Sequence, residues 1–324
     1  MCTAISFNGQ DHYFGRNLDL DHSYQEAVTI TPRNFPFHFR NGNLLRSHYA
    51  MIGMATVSSG YPLYYEATNE KGLSIAGLNF PGIAAYLPYH PTRENIASFE
   101  LIPWLLSQCA KVSEARALLE KINIWNEPFD QDHPSSSLHW LISDKDTSLT
   151  VEPMADGLHI FENPIGVLTN NPPFSYQMYH LCDYMNLTSN APTNRFSEKI
   201  TLSPYSLGIG AMGLPGDYSS FSRFVKAAFV KLNSLAGVTE SENVSQFFHI
   251  LNSVAQQKGT VHVPNGGLEY TIYSCCCNTT KGIYYYTTYE NSQITGIAMG
   301  NCNMDSSDLF VYPLVTGQQI RMEN

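Results

Sequence analysis

The order of β-prone and helix-prone segments is the feature that most constrains the fold of this chain. Residues 2–90 are rich in short β-prone runs separated by glycines, and residues 97–122 have the apolar spacing of a helix pair. Strand-like runs resume at 138–169, a second helix pair is expected at 221–258, and strands close the chain at 269–313. This order is not the strand–helix alternation of parallel folds. It therefore predicts an α+β protein in which helix pairs cover two antiparallel sheets.

Composition limits the partners that the chain can have. Its 324 residues are 43% hydrophobic, enough for a large core, and we expect a single domain over residues 1–324. The formal net charge is −10, from 18 basic and 28 acidic residues, and the basic residues form no stripe. Nucleic acid is therefore not an expected partner. No apolar run approaches about 18 residues, so we expect no membrane partner either.

Seven cysteines bear on location and on metal binding. The odd count, three adjacent cysteines and the lack of an export signal argue against a disulfide framework and favour the reducing cytoplasm. Cysteines 275–277 would point alternately to opposite faces of a strand, so they cannot share one metal ion. The G-x-G-x-x-G run at 208–213 is followed at once by Pro215-Gly216 rather than by a helix, which argues against a dinucleotide site. We therefore expect neither a metal nor a cofactor.

Cys2 is the first candidate for chemistry. A small second residue permits removal of Met1, which would leave one residue with both a thiol and a free α-amine. The thiolate is a strong nucleophile, and an α-amine can act as a base near neutral pH. One residue would then supply the nucleophile and its activating base. On this pattern alone, a small second residue without catalytic meaning is the favoured interpretation.

The residues after Cys2 predict a β-hairpin that brings polar groups to the N-terminus. An Asn-Gly pair at residues 8–9 is typical of a tight turn between strands. A two-residue or a four-residue loop places the side chains of Asn17 and Asp19 on the face of Cys2, because strand side chains alternate. Arg16 is then expected on the other face.

Two asparagines and one arginine are further candidates. Asn79 and Asn170 each end an apolar β-run shortly before a proline, where an amide donor could stabilise an oxyanion, although such asparagines are also common turn formers. Arg223 lies near a helix start and off the apolar face, so by pattern alone it reads as a surface arginine. A cation near Cys2 would favour the thiolate. His139, beside a tryptophan in a β-run, reads as a hydrogen-bonded core residue.

Motifs along nearly the whole chain resemble the choloylglycine hydrolase family of N-terminal-nucleophile hydrolases. This family contains bile salt hydrolases and penicillin V acylases. The resemblance rests on Met1-Cys2-Thr3, Phe14-Gly15-Arg16-Asn17-Leu18-Asp19, Asn69-Glu70-Lys71-Gly72-Leu73, Ala76-Gly77-Leu78-Asn79-Phe80, Leu138-His139-Trp140, Gly166-Val167-Leu168-Thr169-Asn170-Asn171-Pro172, Gly213-Leu214-Pro215-Gly216-Asp217, Ser222-Arg223-Phe224 and Gly282-Ile283-Tyr284-Tyr285-Tyr286.

The resemblance implies a fold and a set of catalytic residues. The fold would be the four-layer αββα sandwich of N-terminal-nucleophile hydrolases. Cys2 matches the family nucleophile, and Arg16 and Asp19 match the residues that hold and tune it. Asn170 matches an oxyanion donor, and Arg223 matches the second arginine of the family.

The resemblance also implies a substrate class. Asn79 matches a position that is typically asparagine in bile salt hydrolases and tyrosine in some penicillin acylases. This favours hydrolysis of the amide bond of glycine- or taurine-conjugated bile acids. Related hydrolases form tetramers, so the resemblance also implies a homotetramer. The aligned substrate-pocket positions are Leu18, Tyr65, Phe129, His133 and Leu138. His133 departs from the aliphatic residue that relatives often carry, and Leu207 from an arginine found in some of them.

Two alternatives remain open at this point. The same scaffold could act on penicillin V or on another acyl amide, such as an acyl-homoserine lactone. The chain could also be a non-enzymatic binding protein in which Met1 is retained. The mass of the intact chain separates this last alternative from both enzymatic ones.

Overall fold

The structure, a computed structural model, describes residues 1–264 and 266–324. In chain order its strands are β1 (Cys2–Asn8), β2 (His12–Leu20), β3 (Ala27–Thr31), β4 (Phe37–His38), β5 (Leu44–Leu45), β6 (Met51–Ser58), β7 (Tyr61–Asn69), β8 (Ser74–Asn79), β9 (Glu94–Ala97), β10 (Ile122–Trp125), β11 (Leu138–Ser143), β12 (Ser148–Met154), β13 (Gly157–Glu162), β14 (Val167–Leu168), β15 (Val261–His262), β16 (Leu268–Asn278), β17 (Ile283–Thr288), β18 (Asn291–Ala298) and β19 (Phe310–Pro313). Its α-helices are α1 (Leu101–Gln108), α2 (Val112–Leu119), α3 (Phe174–His180), α4 (Ser220–Asn233) and α5 (Glu240–Asn252), with 3₁₀ turns at Ser98–Glu100, Leu181–Tyr184, Ile209–Ala211 and Met299–Asn301.

The strands form two large antiparallel sheets. Sheet 1 has the order β14-β1-β2-β16-β17-β18, with β15 beside β16. Sheet 2 has the order β13-β12-β11-β8-β7-β6-β3-β19. Two small pairs, β4 with β5 and the parallel pair β9 with β10, lie outside them. The N-terminal hairpin of β1 and β2 is therefore internal to sheet 1, between β14 and β16.

Helix pairs cover both sheets on their outer faces. Helices α4 and α5 pack on β1 and β16 of sheet 1, and α1 packs on β7 and β8 of sheet 2 with α2 in the same apolar cluster. This confirms the predicted four-layer αββα arrangement.

The sandwich leaves its central strands buried on both faces. Every residue of β2 from His12 to Asp19 is buried, because one face meets sheet 2 and the other meets the helices. Burial of this kind lets a short polar motif in β2 make contacts in two different layers.

The predicted second helix pair is present but differs at its end. Helix α5 ends at Asn252 rather than continuing to Lys258. The chain leaves the helix because Gln256 pairs with Thr271, whose main-chain N–H donates to the Gln256 carbonyl at 3.1 Å. Within the described residues no helix has both the length and the apolar character to cross a membrane.

Candidate active site

The register of the N-terminal hairpin decides which side chains share a face with Cys2. Cys2 pairs with Leu18 across a three-residue loop, whereas we predicted a two- or four-residue loop. An odd loop shifts the pairing by one residue, and such a shift exchanges the two faces of a strand. Arg16 and Leu18 therefore share the face of Cys2, while Asn17 and Asp19 lie on the opposite face. The predicted faces of Arg16, Asn17 and Asp19 were therefore wrong.

Arg16 extends from the face of Cys2 towards sheet 2. Its Nη1 donates to the carbonyls of Tyr65 and Gly77, at 3.2 and 2.5 Å, and its side chain is almost completely buried. Its Nε lies 3.8 Å from Oε2 of Glu66, which forms a buried ion pair. Burial alone would lower the pKa of Arg16, but nearby anionic groups, Cys2 first among them, raise it.

Glu66 is a buried carboxylate that was not among the candidates predicted from the sequence. Its oxygens accept the hydroxyl groups of Tyr284 and Tyr273, at 2.5 and 2.8 Å, and the thiol of Cys275 lies 3.5 Å away. Burial raises the pKa of Glu66, while the charge of Arg16 and these hydrogen bonds act against the shift. A single acidic residue in the aromatic, apolar run of β7 is the sequence signal that could have identified it.

Asn170 joins the start of β1 to the end of β8. Its Oδ1 accepts the Cys2 main-chain N–H at 2.8 Å and also accepts Nη2 of Arg223 at 2.8 Å. Its Nδ2 donates to the Asn79 carbonyl at 2.7 Å. This bond uses one of the two Nδ2 protons, so the amide retains a donor beside Cys2.

Arg223 lies in the first turn of α4, over β1. Its Nη1 donates to the Cys2 carbonyl and to Oγ1 of Thr3, at 2.5 and 2.7 Å, and its Nε donates to the Tyr218 carbonyl. Its exposed fraction is 1%, so the interpretation as a surface arginine is wrong: α4 turns this side chain towards sheet 1. Burial lowers the pKa of Arg223, opposed by the negative charges of Asp19 and Cys2.

Asp19 is completely buried on the helix side of sheet 1. Its carboxylate accepts Oγ1 of Thr271 at 2.6 Å and Nε2 of Gln256 at 3.3 Å. Its main chain pairs with Met1: the Met1 ammonium donates to the Asp19 carbonyl at 2.7 Å and also contacts the carboxylate of Glu269. Burial raises the pKa of Asp19 and lowers that of the Met1 amine.

Three of the five predicted pocket residues lie close to these groups in the fold. Leu18 and Tyr65 belong to the apolar cluster between the sheets that also contains Cys2. Leu138 pairs directly with Asn79 across β11 and β8, but its side chain packs in the outer cluster between sheet 2 and its helices.

The other two predicted pocket residues lie on the segment between β10 and β11. The Phe129 ring packs against Tyr61 and Phe99, with ring centroids 5.6 and 5.3 Å apart. His133 hydrogen bonds to Asp130 at 2.7 Å and meets the edge of Phe129. This aromatic group lies beside sheet 2 and is separate from the cluster that contains Cys2.

Further polar residues hold the Asn170 segment in place. Oγ of Ser220 accepts the Asn170 N–H at 2.7 Å, and Nε2 of Gln177 donates to the Asn170 carbonyl at 2.6 Å. The Oε1 of Gln177 in turn accepts the hydroxyl of Thr169 at 3.1 Å. Thr169 and Ser220 lie in or beside the sequence motifs, but only the tertiary contacts show that they hold Asn170 together with Gln177.

Among residues 1–264 and 266–324, histidine, cysteine and acidic side chains form no group of three or more that is placed to hold a metal ion. The site brings together a thiol, two guanidinium groups, two amides and the two buried carboxylates of Glu66 and Asp19.

Known proteins are similar to this chain in both sequence and fold. A family model described as linear amide C–N hydrolases of the choloylglycine hydrolase family matches residues 2–312. A bile salt hydrolase/transferase of Lactiplantibacillus plantarum is 54% identical over 97% of each chain, and one of Clostridium perfringens is 36% identical over 96% of each.

Solved structures give the same result. A mutant of the conjugated bile acid hydrolase from Clostridium perfringens superimposes with a TM-score of 0.92 at 34% identity, covering 100% of both chains. Penicillin V acylase from Agrobacterium tumefaciens, at 18% identity, shares the fold with a TM-score of 0.78 over 97% of this chain and 92% of its own. Together with the family model, these matches show that the chain belongs to the choloylglycine hydrolase family of linear amide C–N hydrolases.

Proposed function

We propose that the chain is a cysteine amidase that hydrolyses the amide bond of glycine- or taurine-conjugated bile acids. The observation that carries the proposal is the position of the Cys2 nitrogen, which donates to Oδ1 of Asn170 while Arg223 donates to the same oxygen. Removal of Met1 turns that nitrogen into an α-amine that is already held by a side-chain acceptor. The names of the relatives, bile salt hydrolase/transferase and conjugated bile acid hydrolase, support this substrate class.

The proposed reaction proceeds through a thioester. The α-amine of Cys2 takes the thiol proton, and the sulfur attacks the amide carbonyl. The remaining Nδ2 proton of Asn170 and the main-chain N–H of Asn79 stabilise the tetrahedral oxyanion. The amine then protonates the leaving nitrogen, and glycine or taurine departs. A water molecule, deprotonated by the same amine, cleaves the thioester and releases the free bile acid.

Charged groups around Cys2 support the nucleophile in this proposal. Arg16 and Arg223 place positive charge near Cys2, from the sheet 2 side and from the helix side. Asp19 is proposed to orient the Cys2 amine after Met1, whose ammonium donates to the Asp19 carbonyl, has been removed. Leu18 and Tyr65 are proposed to contact the steroid, with Phe129 and His133 at the edge of the bound steroid, while Leu138 is proposed to act through Asn79, with which it pairs.

The test is turnover of glycocholate, taurocholate and penicillin V by the wild-type protein and by Cys2→Ala. We expect release of glycine or taurine by the wild type and a loss of at least about 1,000-fold in Cys2→Ala, because nothing else at the site supplies a nucleophile. The matched control is Cys182→Ala, since Cys182 is an exposed free thiol outside the site.

Each outcome of that test has a meaning. Turnover by Cys2→Ala at the wild-type rate contradicts the mechanism, and faster cleavage of penicillin V than of either conjugate contradicts the substrate class. Intact mass of the purified wild type must show loss of Met1. A fully retained Met1 in active protein would contradict the role of the α-amine.

Acyl transfer is a second candidate function. Four relatives are named bile salt hydrolase/transferase, and the proposed thioester can be attacked by an amine instead of water. The C–S bond then breaks, a C–N bond forms, and the proton lost by the amine passes to the Cys2 sulfur. Incubation with glycocholate and excess alanine should yield the alanine conjugate in the wild type and not in Cys2→Ala.

A homotetramer is proposed as the assembled state. Helix α3 and the connection between α3 and α4 carry large apolar side chains that are more than half exposed, which is typical of an interaction surface. They are Tyr176, Tyr179, Met185, Phe196, Leu202, Tyr205, Leu207 and Met212. Sedimentation equilibrium should give four times the chain mass, and replacing Leu207 and Phe196 by aspartate should reduce it. A monomeric wild type contradicts the proposal.

A cytoplasmic location is also proposed. All seven cysteines are free thiols in the structure, as expected for a protein of a reducing compartment. Fractionation of the source cells should find the activity with cytoplasmic markers, and recovery in the culture medium would contradict this location.

A further inference from the structure

The two strand ends that carry Asn79 and Asn170 are joined by one buried histidine. His139 lies in β11 and its side chain is completely buried. Its ring stacks on Phe80, the residue after Asn79, with a centroid distance of 4.2 Å and an interplanar angle of 7°. Its Nε2 lies 2.8 Å from the carbonyl of Thr169, the residue before Asn170. The ring thus contacts both segments directly beside their asparagines.

The second nitrogen of the ring contacts a buried carboxylate. Nδ1 of His139 lies 3.0 Å from Oε1 of Glu152, which is also completely buried. The same carboxylate accepts the Phe174 N–H at the start of α3, at 3.0 and 3.2 Å from its two oxygens. Glu152 therefore links the histidine to the helix that follows Asn170.

The partners of the ring limit where its protons can lie. The Thr169 carbonyl can only accept, so Nε2 carries a proton. Nδ1 faces the Glu152 carboxyl group, whose oxygens also accept the Phe174 N–H. An imidazolium with a proton on both ring nitrogens, paired with an ionised carboxylate, satisfies all of these contacts and is the form that the proposal below selects.

We propose that His139 is a positioning residue for the oxyanion site: as an imidazolium paired with Glu152, it sets the placement of Asn79 relative to Asn170. The inference rests on the oxyanion role assigned to these asparagines under the proposed function. Two hydrogen bonds join these segments, from Nδ2 of Asn170 to the Asn79 carbonyl and from Nδ2 of Asn171 to the Pro81 carbonyl, and the first involves both candidate oxyanion residues. His139 contacts Phe80 on one side of the Asn170–Asn79 bond and Thr169 on the other. Loss of the ring therefore removes a contact that fixes the distance between the two oxyanion donors, the Asn79 main-chain N–H and Nδ2 of Asn170.

The first test compares His139→Leu with the wild type in steady-state hydrolysis of glycocholate. We expect kcat to fall on the order of 10- to 100-fold with KM changed by less than about 2-fold, because misplaced oxyanion donors weaken the transition state and leave ground-state binding intact. The matched control is His12→Leu. His12 is another buried histidine with two side-chain partners, Thr279 and Ser143, at the hairpin end remote from Cys2.

The variant Glu152→Gln removes the charge of residue 152 while keeping its hydrogen bonds to Phe174 and His139. A glutamine can accept the Phe174 N–H and donate to Nδ1, which leaves the Nε2 bond to Thr169 in place. We therefore expect a smaller loss of kcat in Glu152→Gln than in His139→Leu. If His139→Leu does not fold, a rise in KM without a loss of kcat in Glu152→Gln overturns the proposal.

The protonation state gives a readout that does not depend on activity. ¹⁵N–¹H spectra of histidine side chains, recorded on Cys2→Ala protein at neutral pH, should show both ring nitrogens of His139 protonated. The Nδ1 proton should be absent when Glu152→Gln is added. A ring with one proton in Cys2→Ala, or a kcat of His139→Leu equal to that of His12→Leu, overturns the inference. A wild type that hydrolyses none of the amides contradicts the proposed function and leaves this spectroscopic result to be judged separately.

Discussion

At the scale of single residues, the site depends on charges buried between the layers. Arg16 and Glu66 are each at most 2% exposed and face each other across the two sheets. Taking such charges out of water costs several kcal/mol unless each has a partner. Hydrogen bonds make this burial possible. The carbonyls of Tyr65 and Gly77 accept from Arg16, and two tyrosine hydroxyls and one thiol donate to Glu66.

Removal of one member of this pair should be far more costly than removal of both. Arg16→Leu is expected to lower the free energy of unfolding by about 3–5 kcal/mol, because it leaves the Glu66 carboxylate buried and uncompensated. The double variant Arg16→Leu/Glu66→Leu should recover most of this loss. Urea denaturation of the wild type, Arg16→Leu and the double variant measures these free energies of unfolding.

A surface ion pair provides the control for this prediction. Arg33 pairs with Glu70 at 2.6 Å but is 39% exposed, so Arg33→Leu should cost no more than about 1 kcal/mol. Equal losses in Arg16→Leu and Arg33→Leu would contradict the role of burial.

At the scale of elements, local signals set where a segment starts and tertiary contacts set where it ends. Helix α5 begins with a capping box, in which the Thr239 hydroxyl accepts the Glu242 N–H and the Glu242 carboxylate accepts the Thr239 N–H. Its end is set by the pairing of Gln256 with Thr271 in sheet 1. Only the first of these signals is local in sequence.

Loss of the cap should destabilise the protein by a modest and defined amount. Thr239→Ala is expected to lower the free energy of unfolding by about 1 kcal/mol, because the Glu242 N–H loses its side-chain acceptor. Ser245→Ala, in the exposed interior of the same helix, should change it by less than about 0.5 kcal/mol. Thermal denaturation followed by circular dichroism measures both, and equal effects would contradict the capping role.

At the scale of the whole molecule, stability depends on polar contacts between the sheets as well as on the apolar core. His12 of sheet 1 lies 3.3 Å from the Ser143 hydroxyl of sheet 2 and is 2% exposed. Burial lowers the pKa of His12 to about 4, from an ordinary value of 6.5. Between these two pH values the unfolded chain binds a proton at His12 that the folded chain does not.

The sign of the resulting pH dependence follows from that difference. The free energy of unfolding should fall as the pH drops from 6.5 to about 4, by roughly 3 kcal/mol in total from His12, since one pKa unit corresponds to about 1.36 kcal/mol. His12→Leu should flatten the dependence in this window. His249→Leu, at an exposed position in α5, should leave it unchanged. Urea denaturation across this pH range tests it, and an unchanged slope in His12→Leu would contradict the assignment.

The sequence by itself determined the layer order and the residues worth testing. The alternation of strand-rich and helix-pair segments is a local property, because it depends on hydrophobic period and turn residues within each segment. It was sufficient to predict two antiparallel sheets covered by helix pairs, and the family resemblance supplied the four-layer sandwich. The ordered motifs were sufficient to single out Cys2, Asn79, Asn170 and Arg223 and to recognise the family.

Only the tertiary structure decided which of these residues face one another. The face of each side chain in β2 depends on whether the hairpin loop has an odd or an even number of residues, and an Asn-Gly pair leaves that open. The burial of Arg223 depends on how α4 is laid over sheet 1, and the contacts of Glu66 and His139 join strands far apart in the chain. Contacts between distant segments leave no mark on local periodicity, so the pairing of charges in the core becomes visible only in three dimensions.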